Sequence, residues 1–322
     1  MGELQSISTW WMWTGFTIFV IVMLGVDMFA LGRKGAHKVG AKEALVWSII
    51  WFALAMLFGS LLWGWLDHTA GREIANTKTM EYLTGYLLEK TLAMDNIFVF
   101  VMIFSYFAVP LEFQKRILVY GVLGAIILRA LMILLGAWLI AQFHWVLYVF
   151  GAFLFITGIK MFIFAEHEPD LAKNPLLNWL RNHFRITDDY HGDKFWVMQN
   201  GVRWFTPMFL VLVLIEFSDV IFALDSIPAI FAVTNDPFIV FTSNIFAILG
   251  LRALYFLLAD MADRFHLLKY GLAVVLIFVG TKMLIVEWYK IPVAISLAVV
   301  ISVLGISMLL SILSSRKNKQ IS

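Results

Sequence analysis

The chain has 322 residues, 61% of them apolar and only 14% charged, with a mean hydropathy of +0.86. A soluble domain is about half apolar and about a quarter charged, so this composition excludes a water-solvated globule and leaves no room for a large soluble catalytic domain. Cysteine is absent, which excludes disulfides, thiolate metal ligation and thiol redox chemistry by the chain itself. A net charge of +2, gathered in a few segments, makes no nucleic-acid-binding face.

A membrane crossing needs about 20 apolar residues, and runs of that kind recur along the chain. They cover Thr9 to Leu31, Ala44 to Leu66, Tyr82 to Val109, Ile117 to Ala141 and Trp145 to Ala165. After a polar segment come Phe205 to Thr234, Phe238 to Ala262, Leu267 to Val286 and Ile291 to Leu313. The first run is too long for the core of a signal peptide and has no basic stretch before it, so it reads as a retained span. The fold class is therefore an all-α polytopic membrane protein of about nine transmembrane helices.

Basic residues near span ends stay on the cytoplasmic side. They fall in alternate connections: Arg33, Lys34, Lys38 and Lys42; Lys115 and Arg116; Lys173, Arg181, Arg185, Lys194 and Arg203; Arg264 and Lys269; then Arg316, Lys317 and Lys319 at the end. The intervening connections are poorer in them. That pattern predicts an N-terminus outside (periplasmic) and a C-terminus in the cytoplasm.

A weak internal repeat is also visible. Leu128-Arg129-Ala130-Leu131 overlays Leu251-Arg252-Ala253-Leu254, Thr157 to Met161 lies beside Val279 to Met283, and Glu89 to Asn96 lies beside Asp219 to Ser226. Each unit holds three spans, and an odd number of crossings turns the second unit upside down, the inverted-repeat plan of many secondary transporters. One transmembrane domain thus divides into two N-terminal spans (1–79), a first unit (80–165), a cytoplasmic loop (166–204), a second unit (205–288), and a last span with its tail (289–322).

The third span carries Glu89, Asp95 and Asn96, and the sixth carries Glu216, Asp219, Asp225 and Ser226. A carboxylate at the bilayer centre costs a few kcal/mol or more unless it faces protein, water or a cation, so these residues are functional candidates. The alternative is that they pair with Lys90, Arg129, Lys160, Arg252 or Lys282 and only hold the bundle together. Helical periodicity puts Glu89 with Asn96, and Asp219 with Ser226, on one face of each helix, while Asp95 and Asp225 lie about a hundred degrees away. Presenting all of them together implies local unwinding, which Pro228 is expected to supply by freeing the Leu224 carbonyl. Carboxylate, amide, hydroxyl and carbonyl oxygens without a thiol suit Mg²⁺, Mn²⁺ or Ca²⁺, and the same acids can carry protons as the coupling ion. Asn244 in the seventh span is a further candidate ligand. Asp27 is either part of the pathway or a charge snorkelling to the interface. The His and acidic residues of 166–204 lack zinc-type spacing and read as a solvated connector. No nucleotide-binding or hydrolytic motif is present, so no enzyme is expected, and no resident cofactor.

Glu89-Lys90 with Asp95-Asn96, and Asp219-Val220-Ile221-Phe222-Ala223-Leu224-Asp225-Ser226-Ile227-Pro228, resemble the paired signatures of the TerC family. The likeness continues through Thr242-Ser243-Asn244, Leu249 to Ala253 and Gly280-Thr281-Lys282-Met283. The resemblance implies a multi-pass protein of the bacterial inner membrane in the LysE-like transporter group, linked to manganese export and metal homeostasis. It also brings the alternative of a membrane-bound redox modulator. A metal-delivery scaffold without transport is a third possibility. On this expectation Mn²⁺ is the substrate, with Asp95 and Asp225 central and Glu89, Asp219, Glu216, Asn96, Ser226 and Asn244 completing the path.

Overall fold

A computed structural model describes residues 7–32, 41–143, 145–163, 174–258, 267–289 and 291–319; the side chains of 27–32, 41, 94, 95, 98, 312 and 315–319 fall outside that description. Apolar runs fold as helices because lipid offers no partner for a free backbone amide or carbonyl. In chain order they are α1 (Trp10–Gly32), α2 (Ala41–Thr69), α3 (Arg72–Tyr106), α4 (Leu111–Gln142), α5 (Val146–Ile163), the short α6 (Pro175–His183), α7 (Pro207–Phe231), α8 (Pro237–Leu249), α9 (Leu251–Leu258), α10 (Leu268–Leu284) and α11 (Val293–Lys319). Two short strands, β1 (Trp196–Gln199) and β2 (Val202–Phe205), lie between α6 and α7.

Among the described residues five helices are long and apolar enough to cross a membrane, or six if α8 and α9, bent by 41° at their junction, form one span. The other three of the nine expected spans coincide with α1, α3 and α10. The side chains of α1 are described only from Trp10 to Val26, α10 has 17 residues, and α3 carries Glu73, Lys78, Glu81, Glu89, Lys90 and Asp95 along its 35 residues. Leu57, Leu61, Leu131, Leu134, Ile156 and Leu309 remain exposed on the outer faces of α2, α4, α5 and α11. An apolar surface of that extent fits lipid as its solvent.

Small residues set the helix packing, as expected where lipid removes the hydrophobic drive between helices. A Cβ on Gly280 of α10 would sit 2.6 Å from the Phe155 amide nitrogen and 2.8 Å from the Gly151 carbonyl oxygen of α5. With Gly151 against Met283 and Gly158 against Ala273 and Ile277, the two helices run antiparallel in backbone contact. α4 runs parallel to α7, with Gly121 against Ile215 and Gly136 against Phe231. α3 is antiparallel to α7 and parallel to α8, where Gly85 meets Ser243 and Lys90 reaches Ala247. Ile97, Leu118, Leu214, Leu276 and Val300 belong to the largest core. A second, aromatic core of Phe16, Trp51, Tyr82, Phe238 and Phe246 seats α1 and α2 on α3 and α8.

Three expectations need correction. The described part of the connector, 174–204, is more than solvated chain, while 166–173 lie outside the described residues: Leu177 and Leu180 of α6 are buried in the main core, and β1 pairs antiparallel with β2. Asn200 (φ +51°) and Gly201 (φ +77°) form the two-residue turn, an Asn-Gly step whose left-handed backbone matches strand twist. Tyr190 then ties the linker to the bundle, its hydroxyl donating to the Phe107 carbonyl at 2.8 Å, and burial pushes that hydroxyl's pKa up to about 12. The second correction is that α7 continues as helix past Pro228. The bend lies instead between α8 and α9 at Gly250, where a Cβ would stand 2.6 Å from Lys90 Nζ and 3.2 Å from Trp51 Cβ. Lys90 donates to the Ala247 carbonyl at 3.2 Å, a cation on the carbonyl end of a broken helix. Finally, the third helix starts at Arg72, almost three largely polar turns ahead of its apolar run at Tyr82.

Candidate functional site

Glu89 and Asn96 share one face of α3, and Asp219 and Ser226 one face of α7, as their seven-residue spacing requires. Antiparallel packing brings those faces together, and the Asn96 amide donates to Asp219 Oδ1 at 3.4 Å. The parallel packing of α4 against α7 then delivers Arg129 between them. Its guanidinium is fully buried and takes Asp219 in a fork, Nη2 to Oδ1 at 2.9 Å and Nε to Oδ2 at 3.1 Å. Its third nitrogen, Nη1, pairs with Glu89 and donates to Ser226 Oγ at 3.3 Å. Three of the eight candidate residues, Glu89, Asp219 and Ser226, thus meet one arginine, and Asn96 joins them through Asp219, two residues from α3 and two from α7.

Such a cluster is costly to bury and strongly held once formed. Each ion loses its hydration, and only mutual attraction plus satisfied hydrogen bonds offset that loss, so removing one partner costs about 3–5 kcal/mol. The forked geometry suits arginine and not lysine. Two carboxylates against one guanidinium leave the ionised cluster one negative charge in excess. Polar capacity also remains unused: Glu89 Oε2 and Asn96 Oδ1 have no hydrogen-bond partner among the described residues. The other side of Asp219 borders a small pocket walled by Phe100, Val122, Ala125, Leu251 and Arg252.

The remaining candidates lie elsewhere. Glu216, one turn before Asp219, places its carboxyl in the notch left by Gly124 of α4, and its Oε2 has no partner among the described residues. Asn244 is completely buried on α8, with neither side-chain polar atom bonded among the described residues. Asp225 turns away from the cluster to α5, where Thr157 is its hydrogen-bonding neighbour and Lys160 its nearby cation. Asp95 lies within α3, but its side chain, like that of Asp27, is outside the described residues. Among the described residues no three acidic or histidine side chains gather as the ligands of a metal. Described histidines of the linker have local roles: His183 stacks on Trp179, and His191 bonds the Asp189 carbonyl.

Sequence reasoning placed Arg129 among several possible partners without choosing it. It missed Tyr86, whose buried hydroxyl has no partner among the described residues. Its position in the repeat, matched to Glu216, was a signal available in the sequence.

An apolar, lipid-facing exterior around charge-paired helices defines an integral multi-pass α-helical membrane protein. The profile of the integral membrane protein TerC family matches residues 74–319, and the chain belongs to that family. It is 55% identical over 308 residues to a Salmonella typhi protein and 53% identical to one from Escherichia coli (strain K12), with 96% of both chains covered in each comparison. Both relatives are described as "Putative membrane-bound redox modulator Alx". A Myxococcus xanthus relative, "Uncharacterized membrane protein STKORF319", is 46% identical over 316 residues, covering 98% of this chain and 96% of its own. No solved structure matches the chain.

Proposed function

We propose that this protein exports divalent cations, Mn²⁺ first among them, from the cytoplasm across the bacterial inner membrane. The observation that carries the reading is the convergence of Glu89 and Asn96 from α3 with Asp219 and Ser226 from α7, buried among apolar helices. Such an expensive oxygen-rich cluster is a functional feature by default within a membrane. Its donors are hard oxygens suited to Mn²⁺, Mg²⁺ or Ca²⁺. Asp95 and Asp225 are the central acids of the path in this reading, with Glu216 and Asn244 completing it. Glu216 and Asp225 stand outside the arginine fork and are the groups proposed to carry coupling protons.

The transporter reading includes nine spans, an outside N-terminus, a cytoplasmic C-terminus and two inverted units, α3 to α5 and α7 to α10. Support for the inversion comes from symmetric partnering: α3 packs on α8 as α7 packs on α4, and α5 lies antiparallel to its counterpart α10.

The test is Mn²⁺ flux into liposomes holding an Mn²⁺-sensitive dye. Wild-type protein is expected to support flux, and an Asp95→Asn, Asp225→Asn double variant to lose it. No flux from the wild type rejects the reading, and equal flux from both rejects Asp95 and Asp225 as the central acids of the path. The description of the relatives favours a second reading, redox modulation, which requires a bound chromophore because the chain has no cysteine. Haem or flavin absorbance in the purified protein would favour it over transport.

A further inference from the structure

Resting on the transport reading, we infer that Arg129 is the resident counter-cation of the transport site: it holds Glu89 and Asp219 when the site is empty and yields them to the arriving divalent cation. Every nitrogen of its guanidinium is committed to the acid and hydroxyl oxygens of the two matched faces: Nε and Nη2 to Asp219, Nη1 to Glu89 and Ser226. Those oxygens are the ones a hard divalent cation would need. A carboxylate cannot serve a forked guanidinium and a bare divalent ion at full strength together, and the two cations repel one another. Binding is therefore an exchange in which the metal gains the carboxylates and the guanidinium leaves them.

The exchange answers a physical requirement of any carrier. An empty site with two ionised carboxylates in low dielectric is too costly to carry through a conformational change. A cation tethered to α4 removes most of that cost without a proton entering Glu89 or Asp219. It also weakens metal binding by the free energy of breaking the fork, so the ion is released as well as captured. Glu89 Oε2 and Asn96 Oδ1, which have no hydrogen-bond partner among the described residues, are oxygens that an incoming ion can engage before the fork opens. A purely structural role for Arg129 predicts the opposite behaviour, a fork that is unchanged by metal.

The experiment is a metal-bound minus metal-free infrared difference spectrum of the full-length protein, prepared with isotopically labelled arginine and titrated with Mn²⁺. Wild type is expected to show paired shifts of carboxylate and guanidinium bands. The guanidinium shift should vanish in Arg129→Lys, and Arg129→Gln should bind Mn²⁺ on the order of tenfold more tightly while its flux falls. Carboxylate shifts without any guanidinium shift, or a guanidinium shift that persists in Arg129→Lys, overturn the inference and leave the transport reading standing. Wild-type protein that neither binds nor moves Mn²⁺ overturns both. Should the Arg129 variants fail to fold, the wild-type spectrum still decides, because an unmoved guanidinium band refutes the exchange by itself.

Discussion

Replacing Gly280 with alanine probes the close packing of α5 on α10. The added Cβ would lie 2.6 Å from the Phe155 amide nitrogen, about 0.8 Å short of the 3.4 Å at which ordinary contact begins, with the Gly151 carbonyl oxygen at 2.8 Å. Both obstacles are backbone atoms, so no side-chain rotation relieves them and the helices must separate. Overpacking of this kind costs about 1–3 kcal/mol, while alanine returns up to about 1 kcal/mol of helix propensity. A net loss of about 1–2 kcal/mol is expected. Gly305→Ala in α11 is the matched control, because a Cβ there meets nothing within 4 Å and only the propensity gain remains. Thermal unfolding in detergent, followed by tryptophan fluorescence, should place Gly280→Ala at least about 3 °C below Gly305→Ala, at about 2–4 °C per kcal/mol. Equal melting of the two variants would refute the backbone contact between α5 and α10 and remove one support for the inverted pairing.

Other perturbations test the remaining features. Asp219→Asn should destabilise the fold by about 1–3 kcal/mol by breaking the fork that satisfies Arg129 Nε and Nη2, while Glu89 still balances the charge, and adding Arg129→Met should destabilise it further in denaturant titrations, because Glu89 then stands buried without a cation. Gly250→Ala should destabilise the wild type, and a double-mutant cycle with Lys90→Ala should give a coupling of about 0.5–3 kcal/mol, since Lys90 Nζ occupies the space in question. Gly201→Val, forced to φ +77°, should cost about 1–2 kcal/mol locally and open the linker hairpin to limited proteolysis while α7 stays intact.

What the sequence made legible was whatever depends on a single helix. Apolar length located the helices, and seven-residue spacing put Glu89 with Asn96 and Asp219 with Ser226. The partner of those acids was not legible, because Lys90, Arg129, Lys160, Arg252 and Lys282 were equivalent until packing distinguished them. Arg129 is chosen by the parallel run of α4 on α7, which rests on small residues at Gly121, Gly124 and Gly136. The bend at Gly250 was hidden for the same reason, since a glycine in an apolar run is compatible with a continuous helix and only the approach of Lys90 and Trp51 makes it necessary. Pro228 misled in the other direction, because a helix wedged among α3, α4 and α5 tolerates one missing backbone bond. The hairpin, by contrast, had a local signal in Asn200-Gly201 between two apolar-rich stretches, which the polarity of the linker obscured.

The order in which the charges of the cluster occur along the chain bears on how the protein is made. Synthesis presents Glu89 first, Arg129 some forty residues later, and Asp219 only after a further ninety. As α3 and α4 enter the bilayer, Glu89 can meet its cation as a neutral pair, long before the second acid leaves the ribosome. Asp219 therefore docks onto a preformed receptor, and neither Glu89 nor Arg129 need stand alone in lipid while they wait for it.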